Sequence, residues 1–134
     1  MKKALLDTNI ISYFLRGNPL VVENFRLYRQ HYSYLSFSIF TYYEIKSGLL
    51  YKDAQRQMQQ FERLAQVSEV IPYDREIADT TSQIYNHLRA KGLAIAPMDL
   101  FIGATAVYCD YRLITNNTKH FQNIPDLDYA DWSQ

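Results

Sequence analysis

The chain has 134 residues, of which 48% are hydrophobic and 21% charged, as is typical of one globular domain with one core. No apolar stretch reaches the roughly 20 residues that a membrane-spanning helix needs, and no signal peptide is recognisable, so we expect a cytoplasmic protein. Lys and Arg together number 14, as do Asp and Glu, so the formal net charge is zero and the composition does not support a broad basic surface. Any basic surface must therefore be local, or come from a partner or a second copy.

In chain order, segments of strand type alternate with segments of helical periodicity. The apolar run Ala4–Leu6 is interpreted as a buried strand, and a helix follows it as far as the turn at Gly17–Pro19. Further strands are predicted at residues 32–37, 68–72, 112–115 and, at a sheet edge, 127–132. Further helices are predicted at residues 20–30, 38–50, 53–67, 74–91 and 97–110. This order favours an α/β fold, a three-layer domain in which a parallel sheet is flanked by helices.

Three carboxylates occupy positions where a negative charge is costly. Asp7 ends the first apolar strand, Glu44 interrupts the apolar run 39–50, and Asp99 lies in the first turn of an almost wholly apolar helix. A buried charge without a partner costs several kcal/mol, so each of these groups must be exposed, paired or bound to a cation.

Each carboxylate also has an ordinary structural explanation. Asp7 is a suitable N-cap for the helix that follows it, and Asp99 is an acid favoured near a helix N-terminus. Glu44 is explained equally well by a solvated helix face, with Lys46 as its ion-pair partner. Taken together, however, a strand end and two helix starts can converge on one cleft at the edge of an α/β sheet.

Oxygen ligands of this kind favour Mg²⁺ or Mn²⁺ over zinc, and the three histidines show no zinc-motif spacing. A Mg²⁺ ion held by carboxylates suits phosphodiester hydrolysis. The strand at 112–115 would bring Thr115, Asn116 and Asn117 to the same sheet edge, where they could orient water or a phosphate or simply form a turn. Lys119 and His120 follow, and either phosphate contact or plain solvation is consistent with them.

Four segments resemble the motifs of PIN-domain proteins, and more closely those of the VapC ribonuclease toxins of type II toxin–antitoxin systems: LLDTNIISYF, TYYEIKSG, PMDLFIGATA and LITNNTKHF. The resemblance extends from Lys3 to the closing DYADW, so residues 1–134 are expected to form a single PIN domain. It implies a parallel five-stranded sheet and an Mg²⁺-dependent endoribonuclease, with Mn²⁺ as a substitute ion and a structured RNA such as tRNA as the substrate. It also implies a VapB-type antitoxin partner and a toxin homodimer.

The resemblance assigns roles to individual residues. The first three acids of the family fall on Asp7, Glu44 and Asp99, which are therefore the expected metal ligands, Asp7 and Asp99 directly and Glu44 directly or through a water. Thr115 matches the family's threonine and completes the expected catalytic set together with Asn117. Asn117 stands where the family often has a fourth acid, which argues against a tightly held second metal and leaves an amide to orient water.

Two other functions remain open from the sequence. One is a PIN-like module that binds RNA or a partner without cleaving, which only Asn117 supports. The other is a phosphoacceptor receiver domain, whose characteristic groups are loosely matched by Asp7, Asp74, Thr115 and Lys119. Against the receiver domain, the first strand ends in one acid rather than a pair, and Asp74 is well placed to cap a long helix. Six aromatic residues could supply a dimer or antitoxin surface or belong to the ordinary core: Tyr28, Tyr32, Tyr34, Phe37, Tyr42 and Tyr43.

Overall fold

A computed structural model describes all residues, 1–134, as five short strands and seven helices. The strands are β1 Ala4–Leu6, β2 Ser36–Ser38, β3 Glu69–Ile71, β4 Arg112–Ile114 and β5 Tyr129–Ala130. The helices are α1 Thr8–Leu15, α2 Pro19–Arg29, α3 Ile39–Lys52, α4 Gln55–Gln66, α5 Arg75–Ala90, α6 Pro97–Cys109 and α7 Thr118–Phe121. None of the helices is long and apolar enough to cross a membrane.

All paired strands are parallel, as predicted. β4 lies between β1 and β5, with Leu5 opposite Leu113, and β2 pairs with β3. β2 lies next to β1 without ladder hydrogen bonds between them, so the strand order across the domain is β3–β2–β1–β4–β5. The predicted sheet of about five strands is therefore hydrogen-bonded as a group of three beside a group of two.

Alternate residues of the central strands serve two separate cores, because successive side chains of a strand point to opposite faces. Ala4, Leu6 and Ile114 pack with apolar residues of α1, α2, α3 and α4. Leu5 and Leu113 pack with apolar residues of α5, α6 and α7 on the other face. Helices thus cover both faces, which confirms the three-layer α/β fold and explains why β1 is apolar at every position.

Several boundaries differ from the prediction for local reasons. The second strand starts only at Ser36, because the backbone N–H groups of His31 and Tyr32 still bond to the carbonyl of Tyr28 and extend the turn after α2. Asp53 adopts a left-handed conformation (φ 51°) that separates α3 from α4, so the fourth helix starts at Gln55 rather than at 53. The four-residue helix α7 is too short to show periodicity and was not predicted.

The aromatic residues between 28 and 43 mostly belong to the interior. Tyr28 and Phe37 are almost fully buried in the core that faces α1 to α4. Only Tyr34 and Tyr43 are substantially exposed. Tyr28 and Phe37 therefore belong to the core, whereas a dimer or antitoxin surface that includes Tyr34 and Tyr43 stays a prediction.

Candidate active site

Asp7 stands at the carboxyl end of β1 and caps α1. Its Oδ1 accepts a 2.8 Å hydrogen bond from the backbone N–H of Thr8, and its Oδ2 accepts one of 2.7 Å from the hydroxyl of Thr115. The residue is only 4% exposed and has no cationic side chain within ion-pair distance. Capping accounts for one carboxylate oxygen, but it does not explain why a charge is buried without a cation.

The environment of Asp7 favours its neutral form. Burial raises the pKa of Asp7 from 3.8 to about 6, against the opposing effect of the hydrogen bonds from Thr115 and Thr8. Asp99 and Glu44 lie near enough for their negative charges to contribute to this rise. The three acids singled out in the sequence therefore interact electrostatically at one edge of the sheet.

Thr115 is a positioning residue for Asp7. The residue is fully buried at the end of β4, and its hydroxyl donates to Asp7 while accepting a 3.0 Å hydrogen bond from the backbone N–H of Asn117. The hydroxyl is thus occupied on both sides by protein groups. Its geometry assigns it to holding the carboxylate in place rather than to contact with a substrate.

Glu44 points inward from α3 toward the start of α1. Its Oε1 accepts a 2.5 Å hydrogen bond from the hydroxyl of Thr8, and Ser38 caps the helix that carries it. The ion pair considered for Glu44 is absent, because Lys46 bonds instead to Glu62 on α4 at 2.6 Å. Glu44, like Asp7, therefore accepts hydrogen bonds only from neutral groups and has no cationic side chain within ion-pair distance.

Asp99 lies in the first turn of α6, after Pro97, with its Oδ2 3.1 Å from Nδ1 of His120. Gly103, one turn further along α6, lies against Phe121 and Ile124. A Cβ added to Gly103 would lie 2.5 Å from Cδ1 of Ile124, so a larger residue would require the Ile124 side chain to shift. Gly103 thus lets α6 pack closely against Ile124, which follows α7, the helix that contains His120.

The two asparagines after β4 have different roles. The amide of Asn116 accepts from Asn9 at 3.1 Å and donates to the hydroxyl of Tyr13 at 2.9 Å, which ties the β4 loop to α1. Asn117 is fixed only through its backbone, and its side-chain amide makes no hydrogen bond to the protein. Of the two amides, only that of Asn117 is free to meet water or a phosphate.

The supporting residues Thr8, Asn9 and Tyr13 were not singled out from the sequence. Their partners are 36, 107 and 103 positions away, so no local pattern reveals these contacts. The sequence feature that marks these residues is their position in α1 directly after Asp7, with Asn9 and Tyr13 one helical turn apart on the same face.

Two clefts open from the acidic centre. A groove between α1 and α3 is bordered by one row of residues four positions apart on each helix: Thr8, Ser12 and Arg16 on one side and Glu44, Gly48 and Lys52 on the other. A second cleft adjoins Asp99 and is bordered by Lys119 and His120. Basic side chains therefore flank the acids on both sides, although the whole chain has no net charge.

As they stand, no three His, Cys, Asp or Glu side chains are close enough to surround one ion. The donor set nevertheless fits a hard divalent cation, because it consists of carboxylate oxygens and includes a buried carboxylate that lacks any positive partner. The structure therefore presents acids in electrostatic contact, but it does not present a closed three-carboxylate cage.

One acid at the end of a central parallel strand and two on the adjoining helices α3 and α6 suit a nuclease-like α/β domain, and comparison gives its family. The family model described as PIN domain matches residues 4–127, so the chain belongs to the PIN-domain family. Within it the chain is similar to "Ribonuclease VapC1" of Haemophilus influenzae strain R2866, with 30% identity over 97% of this chain and 98% of that protein.

Two further relatives come from Salmonella typhimurium. The "tRNA(fMet)-specific endonuclease VapC" of strain LT2 is 31% identical over 98% of this chain and 99% of its own length. The solved structure of DNA-bound VapBC matches with a TM-score of 0.87 and 30% identity, over 98% of this chain and 99% of that chain.

The predicted family and fold are confirmed, and the receiver-domain alternative is wrong. Asp74 accepts a 2.9 Å bond from the N–H of Ile77 and acts as a helix cap.

Proposed function

We propose that this chain is a metal-dependent endoribonuclease, the toxin of a VapBC-type pair, which hydrolyses phosphodiester bonds in a structured RNA such as tRNA. The observation that carries this proposal is the buried carboxylate of Asp7, which lacks a cation and lies in the field of Glu44 and Asp99. The names of the relatives, ribonuclease and tRNA(fMet)-specific endonuclease, support the same chemistry and substrate.

Asp7 and Asp99 would hold the ion directly, and Glu44 would complete the site directly or through a water. The ion is Mg²⁺, with Mn²⁺ as a substitute, because both prefer oxygen ligands. When bound, such an ion activates water and neutralises negative charge that develops on the phosphoryl oxygens. Its positive charge also removes the penalty of keeping Asp7 ionised in a buried place.

The protein's own groups position these acids. The N–H of Thr8 and the hydroxyl of Thr115 fix both oxygens of Asp7, and the hydroxyl of Thr8 fixes Glu44. The free amide of Asn117 completes the proposed catalytic set by orienting water or a phosphate oxygen. An amide in place of a fourth acid lowers the negative charge of the site, which favours one tightly held ion over two.

RNA binding is supported by basic side chains beside the acids rather than by net charge. Arg16 lies with its guanidinium 5.2 Å from the ring centre of Tyr13, and neither Arg16 nor Lys52 has an acidic partner within ion-pair distance. Both border the groove that starts at Thr8 and Glu44. Phosphates on either side of the bond to be cut are suitable ligands for such groups.

The proposal includes a VapB-type antitoxin as the inhibitory partner, since similar chains are found in VapBC complexes. It also treats residues 1–134 as a single PIN domain that forms a homodimer. We place the activity in the cytoplasm because tRNA is found there.

The competing function is a module that binds RNA without cutting it. To separate the two, the purified chain is incubated with an initiator tRNA transcript, with and without Mg²⁺, beside Asp7→Asn. The nuclease proposal predicts Mg²⁺-dependent cleavage by the wild type, with a 5′-phosphate on the downstream product, and none by the variant. Binding without cleavage would support the non-catalytic module. Equal cleavage by both proteins would show that the activity is a contaminant or that the site is wrongly assigned.

A further inference from the structure

The cleft beside Asp99 has an apolar floor. It lies between the end of α5, the loop that leads to α6, and the segment around α7, and its volume is about 260 Å³. Leu88 and Ile124 are buried at its base, and Ile95 is half-buried in its wall. This volume is just below the ~300–1,000 Å³ of sites for drug-sized ligands, and it suits a single planar ring system.

Polar groups border the same cleft at its mouth. The amide of Asn123 makes no hydrogen bond to the protein, and Lys119 has no acidic partner within ion-pair distance. His120 and Asp99, which are bonded to each other, both border the cleft. Apolar walls suit the faces of a nucleobase, a free amide offers both a donor and an acceptor to its edge, and a lysine suits its phosphate.

The walls of this cleft are already fixed by the fold. α5 ends at Ala90, Gly92 two residues later has a positive φ of 69°, and the N–H of Leu93 bonds back to the carbonyl of Leu88 at 2.9 Å. On the opposite side, Ile124 packs against Gly103 of α6. A preformed cleft of this kind limits the ordering that binding would otherwise require.

We propose that this cleft binds the nucleobase next to the phosphodiester bond that is cut, and that Asn123 determines which base is accepted. The inference rests on the proposed nuclease function and names the part of the substrate that this side of the site recognises. Because Asp99 borders the cleft, a base held there would have its own phosphate beside the acidic centre. Reading an unstacked base in this way is typical of sequence-specific recognition in RNA loops.

The test uses four tRNA transcripts that differ only in the base beside the mapped cut, with kcat/KM measured for each. We expect the wild type to prefer one base. Asn123→Ala should reduce that preference by about 10-fold, mainly by slowing cleavage of the preferred transcript, because a good base contact discriminates by about this factor or more. Gln122→Ala is the matched control, because this exposed neighbour does not border the cleft and should keep the wild-type preference.

A second variant tests whether the cleft is occupied at all. Ala94 is exposed and borders the cleft, so Ala94→Trp should fill it and raise KM for the preferred transcript. Equal cleavage of all four transcripts by the wild type, or an equal loss on all four in Asn123→Ala, would overturn the base-recognition proposal and leave the nuclease function standing. Loss of inhibition by a VapB-type antitoxin in Ala94→Trp, with base preference unchanged, would assign the cleft to the antitoxin instead. Absence of cleavage by the wild type would overturn the nuclease function and this inference with it.

Discussion

The hydroxyl of Thr115 donates a 2.7 Å hydrogen bond to Oδ2 of Asp7, and this bond joins residues 108 positions apart in the chain. It is possible because β1 and β4 pair in parallel, with Leu6 opposite Ile114, so that the next residue of each strand reaches the same sheet edge. The bond fixes the orientation of the acid on which the site depends.

Removing this hydroxyl should weaken both stability and metal binding. Thr115→Val keeps the shape of the side chain but leaves a buried carboxylate oxygen without its donor, which costs about 1–3 kcal/mol. We expect a lower free energy of unfolding in urea and a higher Mg²⁺ concentration for half-maximal cleavage. Thr115→Ser retains the hydroxyl donor and should therefore keep the Mg²⁺ concentration for half-maximal cleavage near its wild-type value. A Thr115→Val protein with the wild-type Mg²⁺ dependence would contradict the positioning role.

The metal-free protein should be destabilised by ionised Asp7. Its pKa is higher in the folded state, about 6 against 3.8, so the folded chain binds the proton more tightly than the unfolded chain. The loss of folding stability caused by ionised Asp7 is absent below pH ~4, grows between pH ~4 and ~6, and is complete above that range. In EDTA, Asp7→Asn should therefore be more stable than wild type at pH 7.5, by about 3 kcal/mol, and should show no such gain at pH 4.

Urea unfolding at the two pH values measures this difference directly. The comparison between pH values is the internal control, since any general effect of the substitution acts at both. Equal destabilisation of Asp7→Asn at both pH values would show that Asp7 is not a destabilising charge in the metal-free protein.

Mg²⁺ should reverse the penalty at neutral pH. A ligand that binds only the folded state adds about 2.7 kcal/mol of stability at 100 times its dissociation constant. We expect Tm of the wild type to rise as MgCl₂ is added, and Tm of Asp7→Asn to change little. The same rise in both proteins would indicate binding elsewhere on the surface.

The groove between α1 and α3 should contribute to RNA binding through charge. Arg16→Gln combined with Lys52→Gln removes two cations beside the acidic centre and should weaken RNA binding at low salt. The slope of log Kd against log salt concentration should fall by about 2, one for each phosphate that the variant no longer neutralises. Fluorescence anisotropy with labelled tRNA measures both quantities.

The matched control removes the same charge at positions away from both clefts. Arg29 and Arg63 are exposed on α2 and α4 and border neither cleft, so Arg29→Gln with Arg63→Gln should leave the slope near its wild-type value. If the two double variants weaken binding alike, RNA is held by general charge and the groove has no special part in it.

The sequence predicts the strands, the helices and the approximate position of the acids, because each of these is indicated by a pattern of neighbouring residues. The apolar run before Asp7, the periodic helices and the start of α6 at Pro97 identify a parallel α/β domain with three acids near one edge. The support of those acids depends on distant contacts that a single sequence does not display. Thr8 reaches Glu44 across 36 positions, and Lys46 finds its partner on a different helix, at Glu62, instead of at the neighbouring Glu44.

The contacts of Lys119 and His120 are likewise not visible in the sequence. His120 lies in α7 and contacts Asp99 across 21 positions of the chain, and α7 itself is too short for a periodic pattern. From the sequence, Lys119 and His120 could be either solvated or functional. In the folded chain, Lys119 and His120 border a cleft that has an apolar floor and adjoins Asp99.

The proposed nuclease requires these acids to hold the divalent ion on which RNA cleavage depends. The most direct measurement is the initial rate of tRNA cleavage against Mg²⁺ concentration for the wild type, Asp99→Asn and Asp79→Asn, an exposed acid on α5 that borders neither cleft. We predict no cleavage in EDTA, restoration by Mg²⁺ in the wild type and Asp79→Asn, and a loss of at least about 100-fold in Asp99→Asn. Cleavage that persists in EDTA, or that Asp99→Asn retains at the wild-type rate, would contradict this requirement.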